Sequence, residues 1–106
     1  MALILTTTDF VPGKKVVQIL GVVRANTVRA KHLGKDIMAG FKNIAGGELH
    51  EYTDLLKDSR EQAIQRLEAK ATAMGADAVL NIRFTTSSIM RSASEILVYG
   101  TAVKLK

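Results

Sequence analysis

Residues 49–75 read "LHEYTDLLKDSREQAIQRLEAKATAMG". Tyr52, Leu56, Ala63, Leu67 and Met74 fall on one helical stripe, and Ile64 and Ala71 widen one flank of it. His50, Asp54, Lys57, Asp58, Glu61, Gln65 and Glu68 gather on the opposite side. An apolar stripe backed by charge is the pattern of a surface helix that packs on another layer. The spacing predicts one continuous helix over 49–74. Gly75 ends it, because glycine accepts the left-handed conformation of a helix C-cap.

The flanking segments supply that other layer. After the helix, "DAVLNIRFTTSS" alternates with a period of two. Ala78, Leu80, Ile82 and Phe84 face one way, and the helix is expected to pack on them. Asn81, Arg83 and Thr85 face the other way. "SEILVYGTAVKL" is a second such strand, with Ile96, Val98 and Ala102 on one face and Leu97, Tyr99, Val103 and Leu105 on the other. "IMRSAS" joins the two as a hairpin loop. Before the helix, residues 2–7 read as a short strand, and "VPGK" as a type II turn around Pro12 and Gly13. A longer strand over 15–29 carries Val17, Ile19, Gly21, Val23 and Ala25 on one side and Val16, Leu20 and Val22 on the other. Ile37, Met38, Phe41 and Ile44 recur at helical spacing, which predicts a short helix over 36–44 stopped by Gly46 and Gly47.

The order is strand, strand, short helix, long helix, strand, strand. That is an α/β chain, more narrowly α+β, with its helices on a small, mainly antiparallel sheet. One long helix cannot cover both faces of a sheet, yet the strands over 15–23 and 96–105 are apolar on both. A second copy of the chain is the simplest cover.

Length and composition agree. The 106 residues fit a single domain over 1–106. With no Cys there is neither a disulfide nor a thiolate ligand or nucleophile. "MALILTTTDF" lacks a basic leader, and no apolar run approaches the ~20 residues that span a bilayer; a cytoplasmic protein without a membrane partner is expected. The net charge is +5, and Lys14, Lys15, Arg24, Arg29, Lys31, Lys35 and Lys42 supply most of the excess. No aromatic platform is interleaved with these cations along the chain. Nucleic acid is therefore not the expected partner, and at most weak polyanion binding is foreseen.

Within the helix, His50, Asp54 and Asp58 stand at i, i+4 and i+8, so His50 and Asp54 are the candidate metal pair. Charge opposite an apolar stripe is also the ordinary surface of a helix, and Glu48 and Glu51 suit the dipole of its start. That is the stronger reading. His32 and Ser59 have no partners placed to activate them, and no phosphate loop is present, so catalytic residues are absent and the chain is not expected to be an enzyme. Arg60 lies on the shoulder of the apolar stripe, either snorkelling over the core edge or in an ion pair buried at a subunit boundary, with Glu95 the candidate partner.

Three stretches, "TTTDFVPGKKVVQILGVVRANTV", "KNIAGGELHEYTDLLKDSREQAIQRLEAKATAMGADAVLNIRF" and "EILVYGTAV", resemble the YbjQ-like family of small prokaryotic proteins. The resemblance covers nearly the whole chain. It implies a dodecin-like subunit that assembles into a ring, with a homopentamer expected. The family's label names heavy-metal binding, so a divalent heavy-metal ion is the cofactor it suggests, and its function is otherwise uncharacterised. It carries no catalytic residue over. Ser59 stands where Ala is typical before Arg60, and Arg24–Ala25 where Gly is frequent. The expected role is a non-enzymatic homo-oligomeric binding or scaffold protein. The alternatives are a ring that holds a small organic ligand between subunits, and polyanion binding through the basic N-terminal half.

Overall fold

A computed structural model describes residues 2–30, 50–90 and 93–106. The elements are β1 (Ile4–Leu5), β2 (Val16–Ala30), α1 (His50–Ala73), β3 (Ala78–Met90) and β4 (Ala93–Leu105). One helix lies on a mixed four-stranded sheet of order β1-β3-β4-β2. β1 runs parallel to β3, and both other pairs are antiparallel. The strand expected over 2–7 is only two residues long. The short helix expected over 36–44, its stop at Gly46 and Gly47, and His32 lie outside the described residues.

The helix ends as its sequence dictates. Gly75 has φ +80°. Its N–H donates to the Thr72 carbonyl, and that of Ala76 reaches back to the Ala71 carbonyl, both at 3.0 Å. This paired closure satisfies the last carbonyls of the helix. Asp77 then clamps the exit to the end of β4. Its N–H donates to the Val103 carbonyl, and its Oδ2 accepts the Leu105 N–H, each at 2.9 Å. The turn at Pro12–Gly13 also forms, with the Lys14 N–H on the Val11 carbonyl at 3.1 Å and Gly13 at φ +75°.

The buried stripe of α1 differs from the expected one. Ser59, Ala63, Leu67 and Ala71, every fourth residue, are essentially buried, whereas Leu56 and Met74 are more than a third exposed. The side chain of Tyr52 lies outside the described residues. A helix packs through its i±4 ridges, and small residues along one ridge bring the axis close to β2 and β4. The core joins Ala63, Leu67 and Ala71 to Val23, Ala25, Val79, Ile82, Ile96, Val98 and Ala102.

Two expected strand faces are corrected. Ala78 and Leu80 do not meet the helix; they form a second small cluster with Val103 on the far side of the sheet, covered by Ile4, Val11 and Leu105. Val79 and Ile82 are the residues of β3 in the helix-side core. The cause is a bulge. Leu80 pairs with Thr101 and Arg83 with Tyr99, so Asn81 and Ile82 together oppose Gly100, and Asn81 takes φ +55°. An extra residue reverses the alternation beyond it. A Cβ on Gly100 would come within 2.6 Å of Val79 Cγ1 and 2.8 Å of the Leu80 carbonyl, so the bulge closes only over glycine. β2 carries register shifts between Val16 and Gln18 and between Ile19 and Gly21. They turn Ile19 to the far face, opposite Val103, while Leu20 packs against the helix-side core with Val23 and Ala25.

Candidate functional site

The face of the sheet away from α1 is open over β2 and has two parts. Towards one end, Val16, Ile19 and Val22 stand opposite Leu105, Val103 and Thr101. Ile19 and Val22 are 69% and 71% exposed. β-Branched residues at such exposure form an apolar patch that the other described residues leave bare.

Towards the other end the face turns polar. Arg24 pairs with Tyr99, and Tyr99 pairs on its other side with Arg83, so the register sets a half-exposed aromatic ring between two arginines. The next row is Asn26, Leu97 and Thr85, followed by Val28, Glu95 and Ser87. Asn26 Nδ2 donates to Glu95 Oε2 at 3.0 Å. Arg83 Nη1 donates to the carbonyls of Thr7 and Ile82, at 3.0 and 2.8 Å. Two neutral acceptors fix that guanidinium without cancelling its charge.

β2 is an edge strand, and the helix guards part of it. Lys70 Nζ donates to the Arg24 carbonyl at 3.0 Å, and Arg66 Nη1 to the Asn26 carbonyl at 2.8 Å. Cationic side chains that occupy edge carbonyls discourage pairing with a foreign strand there. On the helix side, an open hollow of about 410 Å³ is lined by Leu5, Thr6, Thr7, Ile64, Ile82 and Phe84.

The metal candidates fall at the start of α1. His50 is its first residue and Asp54 follows one turn later; their side chains lie outside the described residues. Among the described residues, no group of three or more His, Cys, Asp or Glu is arranged to hold an ion. Two donors leave a coordination shell mostly to water. A single chain therefore does not make a metal centre from its described residues. Arg60 is exposed, with its Nε on the Leu56 carbonyl at 3.4 Å, and Glu95 takes Asn26 as its hydrogen-bond donor. Within one chain Arg60 therefore lies over the surface of the helix.

A family model named YbjQ_1, described as "Putative heavy-metal-binding", matches residues 3–106. The chain belongs to this YbjQ family. A UPF0145 protein of Archaeoglobus fulgidus is 59% identical over 104 residues, covering 98% of this chain and 96% of that protein. Another, of Colwellia psychrerythraea, is 60% identical over 104 residues, covering 98% and 99%. YbjQ relatives thus occur in archaea and bacteria. A solved structure from Pediococcus pentosaceus, of a DUF74-family protein with unknown function, superposes with a TM-score of 0.68 at 16% identity, covering 100% of both chains. That likeness supports the fold. No described helix is long and apolar enough to cross a membrane.

The row of Arg24, Tyr99 and Arg83 was invisible in the linear sequence. Its members come from three strands, and only the pairing register, shifted by the bulge at Asn81, brings them together. A tyrosine in a strand with no clearly polar face was the one available signal.

Proposed function

We propose that this YbjQ-family chain is a non-enzymatic, self-assembling binding or scaffold protein. The bare patch of Val16, Ile19 and Val22 carries the reading. Neither α1 nor the N-terminal segment covers it, and a second copy removes it from water without any other partner. The dodecin-like ring of five is what the family resemblance implies; the cytoplasmic location rests on the sequence pattern alone. Light scattering during gel filtration tests the assembly. A single mass well above that of one chain is expected; a monomer persisting at high micromolar concentration overturns the reading.

Metal binding enters at the level of the assembly. A ring that gathers several copies of His50 and Asp54 near one axis supplies more donors than the pair on one helix, and a divalent heavy-metal ion is the matching ligand. Metal analysis of untagged protein, followed by titration of wild type and His50→Ala, tests this. Stoichiometric metal that survives dialysis and is lost in the variant establishes the site; no retained metal, or metal kept by the variant, refutes the role of His50. A second reading rests on the hollow beside Phe84, which is 42% exposed. Its apolar lining suits a small organic ligand, held more fully once a neighbouring subunit closes it.

A further inference from the structure

We propose that the row of Arg83, Tyr99 and Arg24 is a contact site for single-stranded nucleic acid: a base stacks on Tyr99, and the two guanidiniums take the flanking phosphates. The row runs across the strands β3, β4 and β2. With strands about 4.8 Å apart, the arginine Cα atoms flank the tyrosine across roughly 10 Å. An aromatic platform between two cations is the combination that single strands exploit, since every base has a face to stack and every link a charge to neutralise.

Three details favour such a ligand over a simple anion or a duplex. Tyr99 is 39% exposed on the face away from the helix, so it is not part of the core. Arg83 is fixed by the carbonyls of Thr7 and Ile82, which position its charge without neutralising it. On this face Glu95 stands two rows away and already accepts from Asn26. A single aromatic side chain on an open sheet face reaches an unpaired base and not the paired bases within a duplex. The chain's net charge of +5 adds a general attraction for phosphate. This site begins in the row next to Val22, so it adjoins the apolar patch, and the mass measurement in the test below shows whether assembly leaves it open.

The test is fluorescence anisotropy with a labelled short oligothymidylate, a duplex of the same length, and protein whose mass is followed by light scattering. Tyr99→Ala is expected to weaken single-strand binding roughly tenfold, and Tyr99→Phe to stay near wild type, because stacking needs the ring and not the hydroxyl. Arg24→Gln and Arg83→Gln are each expected to lower the slope of log K against log salt by about 0.7, the single-strand value for one lost phosphate contact. Lys57→Gln, on the outer side of α1, should leave affinity within about twofold, the control for general charge. No binding at all, unchanged binding by Tyr99→Ala, equal losses in Tyr99→Ala and Tyr99→Phe, or tighter binding of the duplex overturns the proposal. If Tyr99→Ala alters the mass, the salt slopes of the arginine variants decide.

Discussion

Both faces of the sheet carry apolar side chains, and they carry them in different ways. The helix side is built from Ala25, Ala63, Ala71, Ala102 and Gly100, with Leu67, Val79 and Val98 filling between them. Small residues there let a helix lie close, and the side chains around Leu67 are out of water, with Phe84 half-exposed at the margin. The open side has its own small cluster around Ala78, Leu80 and Val103, but the N-terminal segment covers only the β3 end of it. Over β2 the large β-branched residues stand in solvent. A face that the described residues close around Leu67 is thus paired with one that they leave open over β2.

The largest expected effect breaks the covered face. Leu67 is 0% exposed and central to the contact of α1 with the sheet. Leu67→Ala should cost about 2–5 kcal/mol, measured by denaturant unfolding. A cost below about 0.5 kcal/mol, the level of an ordinary surface change, would remove Leu67 from the core.

Next is the bulge that decides which residues of β3 belong to which face. Gly100→Ala places a methyl against the Leu80 carbonyl, a backbone atom that cannot swing aside. A loss of about 1–3 kcal/mol is expected, the range for overpacking a closed site. Wild-type stability in this variant would mean that β3 and β4 pair in another register. Its effect should exceed that of Ala at an exposed strand position such as Thr85.

The open face should answer differently. Val22→Lys removes no packed neighbour within the chain, so unfolding free energy should stay within about 0.5 kcal/mol at matched mass. The mass seen by light scattering should fall, because a buried unpaired ammonium is costly in an interface. An unchanged mass would show that the assembly uses another surface, with the hollow beside Phe84 the first alternative.

These contrasts also explain what could be read from the sequence. The long helix, its stop at Gly75, the turn at Pro12–Gly13 and the two-sided character of β4 follow from local rules, and each holds in the structure. The facing of β2 and β3 was not legible. Each register shift adds one unpaired residue, and a period-two pattern then counts the wrong face from that point on. Asn81, in a left-handed conformation, looks like any polar residue of an alternating strand. His50 and Asp54 could be placed on the first turns of the helix, since helical spacing is local. The row through Tyr99 could not, since cross-strand neighbours are set by pairing.

The smallest expected effect concerns the one hydroxyl on the helix's buried ridge. Ser59 is 1% exposed, in a row otherwise made of Ala63, Leu67 and Ala71. Its Oγ donates to the Leu55 carbonyl at 2.9 Å, a bond back to the preceding turn that slightly weakens a helix. Ala removes that bond, restores the better helix former and leaves only a small void, so the terms nearly cancel. The Ser59 carbonyl still accepts from Thr27 Oγ1, at 3.2 Å, because that contact uses the backbone. Ser59→Ala should therefore change stability by less than about 0.5 kcal/mol, as a swap on a small-residue ridge should. A loss above about 1.5 kcal/mol would mean that the hydroxyl holds the helix to β2 directly, and that the covered face depends on a polar contact as well as on close packing.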